Sequence, residues 1–305
     1  MAIKEAHMNK NSLLIQRQKE TNKVAAIFLA PVLIILAVYV FYPIISTFHT
    51  SLYKWNGISA EKTFIGLKNW ATLIKDGNFW FAFKNNIVIM ILSICIQIPL
   101  GLAMATFIDF AGKKANVFKV LWFIPMLISS VAIGFLFTYA LATKGGIVSA
   151  VSNFFGGGNI DLLGNPKTAL YTIIAIIAWQ FTPFYMVYSM AGFTNISTDV
   201  FEAARIDGAT RGEYFWKIAL PLLMPTLKNA AILSMVGSLK YFDLIYVMTN
   251  GGPGRSTELM ATYMYKYSFS EFNMGYGSAV AAGMFLLISA IALFTMKVIN
   301  GKEED

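Results

Sequence analysis

Charge is what this chain has least of. Lys, Arg, Asp and Glu make up 13% of its 305 residues, about half the ~25% usual in soluble proteins. So few charges cannot cover a water-facing surface of this size, which excludes a soluble enzyme or binding domain. Cys95 is the only cysteine, so no internal disulfide forms, and one thiol says nothing of compartment. The two histidines, His7 and His49, are too few and too far apart in sequence to suggest a metal centre. Neither a Gly-x-Ser-x-Gly elbow nor a His-Glu-x-x-His pair occurs. Gly251-Gly252-Pro253-Gly254-Arg255-Ser256-Thr257 looks like a phosphate loop but lacks the Gly-Lys-Ser/Thr ending. Gly275-Tyr276-Gly277 lacks the third glycine of a dinucleotide turn. Enzyme chemistry, and nucleotide binding by the chain itself, have no support.

Long apolar runs take the place of charge. A bilayer span needs roughly 20 apolar residues, and six runs qualify: Val24–Phe48, Asn86–Ile108, Val120–Ala142, Thr168–Phe193, Asn229–Met248 and Ser278–Ile299. The expected fold is an all-α integral membrane protein with six transmembrane helices. The first run is longer than the apolar region of a signal peptide and has no small-residue cleavage site after it. Six spans put both ends on one side. That side carries 14 Lys and Arg against nine on the other, so the termini and the loop 194–228 are expected in the cytosol. The net charge of +8 then reflects basic loops at an anionic leaflet and requires no nucleic-acid partner.

The runs divide the chain. Residues 1–23 read as a basic cytosolic tail, 24–48 as the first span and 49–82 as an outer loop. That loop is rich in interfacial aromatics (Trp55, Trp70, Phe79, Trp80) and holds one short helix around Asn69–Ile74. The main membrane domain follows over 83–300, and 301–305 is a cytosolic tail. The glycine-rich stretch from Lys144 to Lys167 is the expected mobile outer loop. In the last span, Ala279 with Gly283 and Ser278 with Ala282 allow close helix approach.

The cytosolic loop is legible residue by residue. Asp199 and Glu202 have capping-box spacing and predict a helix start. Gly208 supplies a left-handed end. Thr210 and Glu213 repeat the box, and Pro221 with Pro225 are expected to close the second helix. On helix chemistry alone this is a solvated loop whose glutamate is a cap. However, Glu202-Ala203-Ala204, then Asp207-Gly208-Ala209, then Leu220-Pro221 closely resembles the EAA loop of binding-protein-dependent ABC importer permeases. The resemblance implies that these residues dock into an ATPase subunit and transmit its closure.

A second polar set lies inside the apolar runs. Ser234, Ser238 and Tyr241 fall at i, i+4 and i+7, one face if the helix continues. Gln180, Phe181 and Phe184 in the fourth run offer the same mix of amide and ring. Such groups suit a sugar, whose hydroxyls need hydrogen bonds and whose C–H face needs an aromatic. Equally, the serines let helices pack closely and the rings fill space. Lys240 and Asp243 form a structural pair or line the path. Phe242-Asp243-Leu244-Ile245-Tyr246 followed by Thr249-x-Gly251-Gly252-Pro253 resembles carbohydrate permeases of the maltose and multiple-sugar class, in particular the first of two paired subunits. Trp179-Gln180, Thr182-Pro183 and Ala191-Gly192 fit that class, and the resemblance runs from about Phe83 to Ile299. It implies a substrate path through Gln180, Phe181, Phe184, Ser234, Ser238, Tyr241 and Asp243 for a di- or oligosaccharide. It also implies a second permease subunit, two ATPase subunits that bind ATP and magnesium, and an extracytoplasmic sugar-binding protein. A related permease for glycerol phosphate or another polar metabolite is the near alternative. An ion-coupled secondary transporter is a distant one, which would call for membrane carboxylates beyond Asp243 and Asp109.

Overall fold

The computed structural model describes residues 20–300. Most of the expected N-terminal tail and the C-terminal tail 301–305 lie outside the described residues. Five helices are long and apolar enough to cross a bilayer, and a helix pair bent by 92° is apolar enough to count as a sixth if it acts as one span.

The first helix, α1, runs over Glu20–Thr50 and widens into a π turn at Ala37–Phe41. A two-stranded antiparallel ribbon follows, β1 (Tyr53–Lys54) with β2 (Thr63–Phe64), and then the expected short helix α2 (Lys68–Lys75). The outer loop ends sooner than residue 82, because Asp76 caps a 35-residue helix, α3, over Gly77–Ala111. Its side chain accepts the Asn78 N–H, one of the donors a helix start leaves free. Phe79 is buried rather than interfacial, packed with Leu73, Met260 and Tyr263.

The third apolar run does not cross straight. It forms α4 (Asn116–Leu127) and α5 (Ser130–Ala140), bent by 92°. The glycine-rich outer stretch holds a helix of its own, α6 (Ile147–Phe154), whose Ser149 hydroxyl bonds to Ile160. Then comes α7 (Ala169–Thr194), packed along α3. Gly101 permits that approach: a Cβ there would stand 2.8 Å from the backbone of Tyr185 and Met186.

The helix α8 (Thr198–Ile206) leads into α9, which runs unbroken over Arg211–Ser238. Pro221 and Pro225 therefore do not close the second loop helix. A π turn at Phe215–Ala219 precedes Pro221, with the Leu220 N–H reaching back to Phe215, and the widened backbone relieves the clash proline causes in a regular turn. The fifth span thus begins earlier than Asn229 and stops at Ser238, not Met248. Beyond it lie α10 (Asp243–Met248), the Gly-Gly-Pro loop, α11 (Met260–Tyr265) and α12 (Met274–Asn300). Gly283 of α12 faces Leu73 of α2, so the small residues of the last span serve packing within the chain.

Two buried amides explain why two helices break. The broken end of α9 exposes the Leu239 carbonyl, and Asn86 of α3 donates to it at 3.2 Å while accepting the Met260 N–H at 2.9 Å. The α4–α5 bend frees the Ile128 carbonyl, and Gln180 of α7 donates to it at 3.4 Å and to Ser130 at 3.1 Å. An unpaired backbone group inside a membrane is costly, so each break needs such a partner.

Candidate functional site

The loop 194–228, expected on the cytosolic side, is closed by local chemistry. α8 starts at Ser197, whose backbone is extended, and no side chain caps it. The expected Asp199–Glu202 box is therefore absent; Asp199 sits in the first turn, where its charge opposes the helix dipole. At the other end the expectation is met. Gly208 has φ +80°, the Ala209 N–H reaches Ala204 at 2.9 Å, and the Gly208 N–H reaches Arg205 at 3.1 Å. This pair of bonds is the Schellman closure. Thr210 and Glu213 form the full reciprocal box, and Lys217 joins Glu213 at 3.0 Å. Ala204 is buried against Tyr214, Met186 and Ile108, which fastens the loop to α3 and α7.

The rest of the loop presents an exposed face. Glu202, Ala203 and Asp207 face outwards, and Ile206 is 84% exposed. Beside them is a cavity of about 250 Å³ lined by Phe201, Ala204, Arg205, Ala209, Arg211 and Tyr214. Arg205 lies over the Phe201 ring at 5.9 Å and Arg211 over Phe110 at 5.6 Å, so both guanidinium groups are held in place.

The membrane set is divided by the structure. Ser234 and Ser238 are buried on α9, and Ser234 donates to Gln97 of α3 at 3.4 Å. Tyr241 is beyond the helix end, so it is not the third member of one helical face. It nonetheless lies beside Gln97, Ser238 and Tyr185, and its ring is 5.7 Å from Phe181. Phe184 packs with Tyr185, Ile98 and Ala230 next to this group. Gln180 points elsewhere, into the α4–α5 bend. Lys240 and Asp243 are both exposed and form no ion pair with each other, contrary to the structural pairing.

Sequence reasoning passed over Gln97 and Tyr185. The signal for Gln97 was available, since an amide amid isoleucines and leucines in a span is costly unless partnered. Its Nε2 and the Ser238 hydroxyl are buried with no hydrogen-bond partner. Gln97, Ser234, Ser238, Tyr185 and Tyr241 thus form a neutral group of amide, hydroxyl and ring at the meeting of α3, α7 and the broken end of α9.

Residues 97–303 match the family described as the inner membrane component of binding-protein-dependent transport systems. The chain belongs to this family. The matched segment opens at Gln97 and spans both the cytosolic loop and the polar group, while α1, the ribbon and α2 precede it. The permease is 30% identical to the trehalose/maltose transport system permease of Thermococcus litoralis, over 94% of this chain and 97% of that one. It is 32% identical to the osmoprotective compounds uptake permease of Synechocystis, over 91% and 99%. The crystal structure of a bacterial ABC transporter that imports the acidic polysaccharide alginate contains a chain with the same fold, at TM-score 0.80 and 22% identity over 94% and 98%.

Proposed function

We propose that this permease passes a neutral di- or oligosaccharide through the membrane, driven by ATP hydrolysis on partner subunits. The observation that carries the cargo reading is the composition of the polar group: amide, hydroxyl and aromatic side chains with no charge among them. A phosphorylated cargo would call for cations there, and Lys240 instead borders an apolar groove with Met284, Phe285 and Ile288. The trehalose/maltose relative and the alginate importer add weight to a saccharide. The chain's own part is passage and transmission. It supplies no phosphate loop, so ATP and magnesium belong to two ATPase subunits.

The remaining assembly follows from the family. A second permease subunit completes the pathway, and an extracytoplasmic binding protein delivers the sugar. Both termini and Glu202 lie in the cytosol, where α8 and Ile206 meet an ATPase. Gln97, Ser234, Ser238 and Tyr241 contact the sugar when the helices part, with Phe181 and Phe184 beside them, while Asp243 stands at the outer mouth. Gln180 acts indirectly by holding the α4–α5 bend.

Right-side-out vesicles carrying the whole importer test this. Loaded with ATP and given the sugar-loaded binding protein, they accumulate sugar, and an ion gradient without ATP gives none. Uptake driven by the ion gradient alone would show a secondary transporter instead.

A further inference from the structure

The Thr-x-Gly-Gly-Pro loop has no part in the transport just described, yet it is built with unusual care. Asn85 of α3 donates to the carbonyls of Ser256 at 3.1 Å and Glu258 at 3.0 Å. The Thr257 hydroxyl meets Thr249 and Gly252, each at 2.7 Å. Gly251 has φ +84°, and a Cβ there would touch Glu258. The loop is therefore pinned from below and folded around one side chain.

That side chain is Glu258. It is 4% exposed, and its Oε2 has no hydrogen-bond partner. Arg255 Nη1 forms an ion pair with it at 3.6 Å, beyond hydrogen-bond distance, and is likewise buried without a hydrogen-bond partner. Burial holds the Glu258 carboxyl above its ordinary range, with Arg255 and Lys266 pulling the other way. Both groups border a cavity of about 260 Å³ whose rim carries Asn250, Thr262, Tyr265 and Ser270. Lys266 at the same rim is met by Glu271 at 3.9 Å, so the site is balanced in charge.

We propose that this cavity is a sugar-binding site on the outer face, distinct from the polar group inside the membrane. A buried acceptor and a buried donor, ion-paired with each other but hydrogen-bonded to nothing, suit a vicinal diol, which offers one hydroxyl to each. Tyr265 lines the cavity as its one aromatic residue, with its ring packed among Phe242, Tyr246 and Phe269. A lone cation or anion would satisfy one group and be repelled by the other. The volume lies just below the ~300 Å³ at which ligand pockets begin, so it holds one ring of a longer cargo. Such a site receives the sugar released by the binding protein before the inner path opens. The inference rests on the sugar reading and on the proposed orientation.

The full-length chain in lipid nanodiscs, without binding protein or ATPase, is mixed with glucose, maltose, maltotriose or glucuronate and examined by saturation-transfer NMR. Neutral sugars receive transfer from the wild-type chain. Glu258→Gln and Arg255→Met weaken it about ten-fold. Ser270→Trp, which fills the cavity from an exposed rim position and leaves the loop's bonds intact, abolishes it. No transfer to any neutral sugar, or equal transfer in all three variants, overturns the site, and stronger transfer to glucuronate overturns its neutral class. Loss of binding-protein docking in Ser270→Trp without any sugar signal overturns it in favour of a protein contact. Uptake by the assembled importer is measured alongside. Neutral-sugar uptake without cavity binding sinks this site alone, whereas no neutral-sugar uptake by the wild type sinks the sugar reading itself.

Discussion

The two polar ends of this permease are held together in opposite ways. At the cytosolic end, the bonds that shape the loop join residues three to five apart: Thr210 with Glu213, Glu213 with Lys217, Ala204 with Ala209. At the outer end local bonds such as Thr257 to Gly252 are joined by others between residues far apart in the chain. Asn85 reaches 171 residues to Ser256, and Asp76 accepts from Tyr263 and Tyr276, 187 and 200 residues away. A loop closed by its own neighbours keeps its shape while its anchor shifts. A lid tied to α3, α11 and α12 moves only if those helices move. The cytosolic loop is therefore suited to be pushed as a unit, and the outer end to resist.

The comparison can be broken first where the expected effect is largest. Ile206→Asp changes a side chain that touches little within the chain but lies on the face proposed to meet the ATPase. Uptake should fall by more than about ten-fold, as for a central contact residue of an interface, while the unfolding temperature of the isolated permease stays unchanged. Matched losses in both would show that Ile206 serves the fold.

The second test exchanges the sign of that pattern. Asn86→Leu leaves the Leu239 carbonyl and the Met260 N–H bare, at ~1–3 kcal/mol each. Thermal unfolding in detergent should report a loss of roughly 2–6 kcal/mol, with the end of α9 first to loosen in hydrogen exchange. An unchanged unfolding temperature would mean that Asn86 does not hold the break.

The third concerns acid. Burial alone would raise the Asp76 carboxyl, but hydrogen bonds from Tyr263 and Tyr276 outweigh it and hold the group below its ordinary 3.8. A depressed carboxylate stabilises the fold above its unfolded value, and the gain is lost as pH falls through the lower folded value. Below about pH 4 the outer end should therefore loosen in the wild type, and Asp76→Asn should remove that dependence. An identical acid slope in both would place the sensitive group elsewhere.

The smallest effect is expected from Thr210→Ala. Losing this cap costs about 1 kcal/mol, confined to the start of α9. Hydrogen exchange should rise at Arg211–Glu213 and nowhere at the outer end. A change at the Gly-Gly-Pro loop would contradict the separation of the two ends.

The same contrast decides what the sequence disclosed. Gly208, the Thr210–Glu213 box and the α2 helix could be read because their partners are neighbours in the chain. The apolar runs could be read because a bilayer imposes their length, and five of them correspond to helices long enough to cross it. The α4–α5 bend and the end of α9 at Ser238 could not, since the groups that satisfy them, Gln180 and Asn86, come from other helices. Residue type puts Gln180 among the polar groups of the path but does not disclose that its Nε2 is taken by Ile128 and Ser130, while its Oε1 stays buried without a hydrogen-bond partner. Tyr241 joined Ser238 through a continued helix that does not exist; the two meet because the chain breaks and folds back. The π turn before Pro221 left no mark in local spacing either.

The most direct test of coupling through the cytosolic loop is made at Gly208. A Cβ at this position meets nothing within 4 Å, so Gly208→Val acts only through the left-handed backbone, at about 1–3 kcal/mol of strain. In a reconstituted importer, sugar uptake and ATP hydrolysis are measured together, with the permease present at its normal level. The account predicts that uptake falls to background and that hydrolysis no longer responds to the sugar-loaded binding protein. Normal uptake with normally stimulated hydrolysis would contradict it.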